Sequence, residues 1–224
     1  MKKVLFVSVH SDDETIGCGG VILRHKKIGD KIFWLIVTNA NKLIGWDEKQ
    51  INRRQNEIQK VAEHYNFEKY FKLDFNAGYL DDVSLRDLIQ KLNEVILKIK
   101  PQILFLPNRS DVHSEHQIVF RACYSSCKDF RTPFVEKIFM YETLSETEFT
   151  PALHENTFIP NTFVDISEFF NYKISIMKIY QGELMSRYNP RSIDTIISLA
   201  RFRGSRIGVK YSEAFMMIFN KIVK

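Results

Sequence analysis

Three acids and a histidine crowd into five residues just after an apolar run: His10, Asp12, Asp13 and Glu14 in VSVHSDDETIGCGG, residues 7–20. About a hundred residues later, LFLPNRSDVHSEHQ (104–117) repeats the theme with His113, Glu115 and His116. Imidazole and carboxylate are the side chains that ligate borderline metals and carry protons near neutral pH. One imidazole from the first segment, a carboxylate beside it and one imidazole from the second make a set of three ligands. With water in the fourth position, that is how catalytic zinc is usually held. Few soft ligands are present and a hard all-oxygen cage is absent, so the donor types suit zinc.

Each half taken alone has a plainer account. A Ser-Asp-Asp-Glu run ahead of a helix is usually an N-terminal cap whose acids favour the helix dipole. A His-x-x-His spacing on a helix arises often by accident. The glycines offer a third reading, because GCGG after a strand starts like a dinucleotide-binding fingerprint. Ile22 then stands where G-x-G-x-x-G needs its third glycine, and three acids at the helix entrance would repel a pyrophosphate. Gly17, Gly19 and Gly20 are therefore expected to serve a tight turn in a metal loop and close helix–sheet packing. Only if both histidine segments reach one place does the metal reading hold.

The surrounding pattern supplies that place. KVLFVSV, KIFWLIVT, YFKL and QILFLP read as strands. Helices are predicted over 15–27, 47–65 and 85–100, with a fourth starting near Glu115. Near-continuous apolar strands alternating with helices predict a parallel sheet covered on both faces. The fold class is α/β, a Rossmann-like three-layer α/β/α arrangement with a mostly parallel sheet. The metal site is expected at the carboxyl edge of the strands, where ligands gather. Later, KIFMYE and TFVDI predict further strands, and 167–180 and 193–200 predict helices. VKYSEAFMMIF (209–219) is read as core in preference to a subunit contact. No linker, repeat or composition break appears, which predicts one domain over residues 1–224.

Composition narrows the function classes. The 224 residues are 45% hydrophobic and 26% charged, an ordinary globular balance. No apolar run is long enough to span a bilayer. The first apolar stretch is too short for a secretory signal and runs into His10 and the acids, so the chain is read as cytoplasmic. Cys18, Cys123 and Cys127 cannot all pair, which fits a reducing compartment; Cys123 and Cys127 are read as buried thiols in preference to a metal pair. The net charge of +5 is concentrated late, with eight Lys/Arg from Arg187 to Lys224 against Asp194 and Glu213. No nucleic-acid motif accompanies them, so a phosphate-bearing small substrate ranks above DNA or RNA.

These residues carry a resemblance. HSDDE followed by GCGG resembles the His-Pro-Asp-Asp-Glu signature of the LmbE-like (PIG-L) family of zinc-dependent deacetylases acting on N-acetylglucosamine-type sugars. HSEH is similar to its His-Pro-Asp-His signature, and Arg54 with Glu57 matches its R-x-x-E spacing. The stretch from Asn189 to Phe215 is similar to the C-terminal part of members from bacterial surface-polysaccharide and secondary-metabolite pathways. The likeness runs from about Lys3 to Phe215. It implies His10, Asp13 and His116 as zinc ligands and Asp12 as general base toward the attacking water. It implies His113 as the charged partner of the oxyanion, Glu115 as the residue orienting His113, and Arg54 as a contact to substrate hydroxyl or phosphate groups.

Amide hydrolysis needs an activated water, a Lewis acid at the carbonyl and a proton for the departing nitrogen. A zinc ion with a carboxylate and an imidazole can divide those tasks. The chain departs from the family pattern at Ser11 (for proline), Glu115 (for aspartate) and Ala77, which replaces an acid that helps hold the sugar; Asn76, Asp81 or Asp82 would have to substitute. The leading expectation is one Zn2+ per chain, or another divalent metal, and hydrolysis of an N-acetylamino sugar carrying a nucleotide, phosphate or lipid-phosphate group. A small N-acetylated amino sugar is then the partner, with no nucleic acid and no stable membrane insertion; self-association is left open. Two alternatives stand: a metal-dependent hydrolase of another amide or ester, and a non-catalytic Rossmann-like nucleotide-binding module.

Overall fold

A computed structural model describes residues 1–222, so Lys224 of the basic stretch lies outside it. The first half alternates strand and helix: β1 (Lys3–Ser8), α1 (Asp13–Lys27), β2 (Lys31–Asn39), α2 (Glu48–Tyr65), β3 (Lys69–Asn76), α3 (Leu85–Ile99), β4 (Ile103–Pro107) and α4 (Ser114–Ser126). The second half adds β5 (Lys137–Tyr141), β6 (Thr162–Asp165), α5 (Phe170–Met177), α6 (Ile193–Ser205) and β7 (Ser212–Asn220).

Local chemistry explains the boundaries. Asp47 caps α2 by accepting from Gln50 N, while Gln50 reaches back to the cap, a reciprocal box that satisfies two orphan N–H groups. Ser84 caps α3, whose Leu88, Leu92, Val95, Ile96 and Ile99 form the buried stripe the sequence spacing predicts. Lys100 closes that helix in the left-handed region (φ 54°), ahead of Pro101, which cannot continue it. Strand β3 runs beyond YFKL because a bulge opposite Ile36–Thr38 absorbs an extra residue, with Asp74 at φ 57°.

The strands form one sheet in the order β3-β2-β1-β4-β5-β7-β6. Five are parallel neighbours; β7 runs antiparallel to both β5 and β6. In β1, Val4 and Phe6 face one core and Leu5 and Val7 the other. Helices α1, α2, α5 and α6 cover the first face, and α3 and α4 the second. The three layers and the mostly parallel sheet match the expected fold class. VKYSEAFMMIF contributes β7, an inner strand.

Strand β7 is also tied to α1 by a buried ion pair. Glu213 accepts from Gly20 N and Val21 N at 2.8 Å each, while Lys173 Nζ donates to Glu213 and to Ile16 O, both at 2.8 Å. Gly17, Gly19 and Gly20 all lie within α1 and none has positive φ, so the tight-turn role is corrected. Close packing is their role. A Cβ on Gly17 would sit 2.3 Å from Tyr141 Cδ2, and one on Gly20 2.5 Å from Ile166 Cγ2. All three cysteines are free and buried. No described helix is long and apolar enough to cross a membrane.

The chain leaves β1 toward β2 on one side and returns through β4 on the other. This reversal of strand order opens a crevice beyond the carboxyl ends of β1 and β4. His10 follows one of those ends and His113 and His116 the other.

Candidate metal centre and active site

The loop after β1 is folded by its own acid. Asp13 Oδ2 accepts from Val9 N at 2.9 Å and His10 N at 2.8 Å, curling the backbone back over the start of α1. Asp12 occupies the cap position of α1 but its side chain makes no capping bond. The plain cap reading of the acids therefore fails: Asp13 organises the loop behind the helix and Asp12 faces the crevice.

The loop after β4 is built around Asp111, which is fully buried. Its Oδ1 accepts from Asn108 Nδ2 at 2.9 Å and Thr147 Oγ1 at 2.7 Å, and its Oδ2 meets His116 Nδ1 at 2.8 Å. That contact holds a proton on Nδ1 and makes Nε2 the nitrogen that can give up its proton to a metal ion. His116 Nε2 is buried without a hydrogen-bond partner, 3.5 Å from Asp13 Oδ2. On the other side, His10 Nδ1 is 3.9 Å from the same oxygen. Donor atoms of His10, Asp13 and His116 all lie within 4.8 Å of one another, so the expected ligand set is brought together.

The electrostatics favour a cation there. Burial alone would pull His116 down, but Asp13, the bond to Asp111 and the charges of Asp111 and Glu146 outweigh it and lift it to about 9. Negative charge that holds a proton so firmly on an imidazole would also attract a divalent ion. An orphaned ring nitrogen aimed at a carboxylate and a second imidazole fits zinc in type and number. A second grouping, His10 with His113 and Glu115, is less available. Both oxygens of Glu115 are already engaged: Oε2 by His10 Nε2 at 2.8 Å, Oε1 by Gly78 N at 2.8 Å and Leu80 N at 3.0 Å.

This differs from the expected part for Glu115. Its carboxylate orients His10, not His113, because the longer side chain reaches across to the β3–α3 loop. Only the Glu115 backbone N–H meets His113, donating to Nδ1 at 3.3 Å. With Nδ1 accepting, the proton of a neutral His113 sits on Nε2. Burial, then the neighbouring His10 and His116, hold His113 below its ordinary value. That shift favours the neutral N–H form in the metal-free protein.

Four further groups complete the wall. Asp12 is buried, and loss of hydration, then Glu183 and Asp13, push it up to about 7 against the pull of Arg54 and Arg191. Arg54 lines the cavity, but its guanidinium is held by Ser11 Oγ at 3.2 Å, by Glu57 at 3.1 Å and by Glu183 in a close ion pair. It also lies over the Trp46 and Tyr180 rings, at 5.3 and 5.4 Å. Arg191 bridges Asp12 Oδ2 at 3.3 Å and Glu183 Oε2 at 2.8 Å. Glu14 points away from the metal donors into the core, accepting from Ser8, Thr15 and Tyr180; burial pushes it up to about 8.

Sequence reasoning singled out His10, Asp12, Asp13, Arg54, His113, Glu115 and His116, and all of them lie in or beside this crevice. It missed Asp111, Glu146 and Glu183, and it left Arg191 within a charge count. Asp111 had a visible signal, an acid two residues ahead of His113 in the second histidine segment. Glu146 and Glu183 had none. The resulting cavity holds about 370 Å³, lined by Asp12, Asp13, Trp46, Arg54, His113 and Ala77 among others.

Comparison with known proteins places this geometry. The family model described as PIG-L, GlcNAc-PI de-N-acetylase, matches residues 5–127, more than half of the chain. The chain belongs to the PIG-L family. It is a deacetylase of that family, a hydrolase. The match spans both histidine segments and Arg54, while Glu146, Glu183 and Arg191 lie beyond it. Diacetylchitobiose deacetylase of Thermococcus kodakarensis is 22% identical, over 97% of this chain and 84% of its own length. Among solved structures, a conserved protein of Thermus thermophilus superposes with a TM-score of 0.79 at 23% identity, covering 100% of this chain and 98% of that one. The same fold also carries GalB, a 4-carboxy-2-hydroxymuconate hydratase of Pseudomonas putida, with a TM-score of 0.74 and 17% identity, covering 100% and 99%. The fold alone therefore does not fix the reaction, and the PIG-L-family site must be read from its residues.

Proposed function

We propose that this PIG-L-family protein is a zinc-dependent hydrolase that removes the acetyl group of an N-acetylamino sugar. The observation that carries the reading is the buried, unpartnered Nε2 of His116, with donor atoms of His10, Asp13 and His116 all within 4.8 Å of one another. His10, Asp13 and His116 would hold the ion, with Asp111 and Glu115 fixing the two imidazoles from behind. Zinc bound there supplies Lewis acidity and lowers the pKa of water.

The remaining work belongs to the chain. Asp12 is the base that accepts a proton from the attacking water, and a value near 7 suits that task at neutral pH. His113 Nε2–H, neutral and half-buried, donates to the carbonyl oxygen as charge develops on it. The proton taken by Asp12 returns to the departing nitrogen. Trp46, half-buried on the cavity wall, gives a sugar ring an aromatic face to lie against.

The test is acetate release from N-acetylglucosamine derivatives. Chelation is expected to abolish it, zinc to restore it, and Asp12→Asn to lower kcat by about 10²–10⁴. Turnover that survives chelation, or survives His10→Ala, refutes the reading. A second reading, hydrolysis of another amide or an ester, draws on Ala77: it lines the cavity where the family pattern has a sugar-holding acid. Aryl amides and esters screened beside the sugars separate the two.

A further inference from the structure

We infer that the cavity selects substrates uncharged around the scissile group, and that Glu183 sets this preference by neutralising both arginines of the wall. The inference rests on the sugar-deacetylase reading and names the substrate class of that site.

Two guanidiniums line the cavity among the described residues, Arg54 and Arg191, and no lysine does. Glu183 grips both at once: one oxygen pairs closely with Arg54, and the other lies 2.8 Å from Arg191 Nη1. Each guanidinium has a second carboxylate as well. Glu57 lies 3.1 Å from Arg54, and Asp12 lies 3.3 Å from Arg191.

Four backbone donors beside the cavity are likewise taken. Val9 N and His10 N donate to Asp13, and Gly78 N and Leu80 N donate to Glu115. Four carboxylates (Asp12, Asp13, Glu146 and Glu183) share the cavity with those two arginines. With Asp12 ionised, a divalent ion brings the wall to neutrality and leaves no positive surplus.

A phosphate entering such a site meets two guanidiniums whose charge carboxylates already offset, even though Arg54 Nε and Arg191 Nε have no hydrogen-bond partner. It also faces carboxylates in a low-dielectric wall, so it loses more hydration than those paired cations restore. Hydroxyl and amide groups carry a much smaller penalty and can donate to the same carboxylates. This runs against the phosphate-bearing substrate suggested by the basic C-terminal stretch. Arg191 is the part of that stretch that reaches the cavity, and there it is already paired. Glu183 is a specificity-determining residue that acts through Arg54 and Arg191.

Calorimetric binding of N-acetylglucosamine, its 1-phosphate and its 6-phosphate to metal-free protein, together with kcat/KM of the zinc-loaded enzyme for the same three, tests this. Wild type is expected to favour the neutral sugar at least tenfold by both measures. Glu183→Gln keeps the shape and removes the charge that the two arginines share, so the ratio is expected to move at least tenfold toward the phosphates. Glu183→Asp keeps the charge and is expected to retain the wild-type preference, which separates charge from packing. A wild type that prefers either phosphate overturns the inference while leaving the deacetylase reading intact, and it does so whether or not the variants fold. A ratio unchanged within twofold in folded Glu183→Gln overturns the role of Glu183. If none of the three sugars is bound or hydrolysed, the sugar-deacetylase reading falls and this inference with it.

Discussion

Asp111→Asn changes one atom in a residue that touches no substrate, and the structure fixes which way the new amide must face. Oδ1 of Asp111 accepts two hydrogen bonds, from Asn108 Nδ2 at 2.9 Å and Thr147 Oγ1 at 2.7 Å. The carbonyl oxygen of an asparagine must stay there, because the reverse orientation sets its N–H2 against the Asn108 donor. A buried group left unpaired costs about 1–3 kcal/mol. The amide nitrogen is then turned toward His116 Nδ1, which lies 2.8 Å from Oδ2 in the wild type. An N–H2 can donate to Nδ1 only if the imidazole carries its proton on Nε2. That is the nitrogen left without a hydrogen-bond partner, and open to an ion, in the wild type.

The substitution therefore inverts the tautomer and removes one of three ligand lone pairs without touching a ligand. Loss of such an outer partner typically weakens metal affinity about 10–100-fold, or about 1.4–2.8 kcal/mol. Competition with a chromophoric zinc chelator reads the affinity, and circular dichroism with a thermal melt reports whether the fold survives. Thr147→Val removes one bond from Oδ1 and leaves the contact to His116, so its effect on affinity is expected to be much smaller. A folded Asp111→Asn that binds zinc within twofold of wild type refutes the argument.

Two further outcomes follow from the packing. Gly20→Ala gains about 1 kcal/mol of helix propensity, but its Cβ would sit 2.5 Å from Ile166 Cγ2 and 2.6 Å from Ile166 Cβ. No rotamer moves a Cβ, so overpacking of about 1–3 kcal/mol or more should win. The melting temperature is expected to fall by several degrees, with only partial rescue by Ile166→Ala; a variant as stable as wild type sinks the packing account. Asp30 accepts from Lys2 N at 2.6 Å and pairs with His25 Nδ1 at 2.8 Å. Burial raises its pKa, but these bonds outweigh burial and hold it below the usual carboxylate range. A depressed acid contributes stability above its unfolded pKa and loses it as pH falls through the folded value. Asp30→Ala is thus expected to cost stability at pH 7 and to converge with wild type in acid. A stability difference of constant size in denaturant melts from pH 7 to about 3, spanning the ordinary aspartate value, contradicts this.

The sequence by itself determined the alternating units and the candidate metal donors. Local periodicity carries that information: buried strands of β-branched and aromatic residues, the stripe of α3 and the caps at Asp47 and Ser84 all depend on neighbours within a few residues. His10 and Asp13 beside β1, with His116 beside β4, follow from the same reasoning, since parallel strands end at a common edge. What only the tertiary structure decided is who pairs with whom. Glu115 turned to His10, Glu183 crossed 129 positions to Arg54, and Arg191 crossed 179 to Asp12. The inner place of β7, and Tyr141 and Ile166 as the groups that Gly17 and Gly20 admit, were fixed in the same way. These contacts depend on how far each side chain reaches once the layers are packed. One added methylene at Glu115, or one close approach of Ile166 to α1, redirects them, and no spacing along the chain encodes such distances.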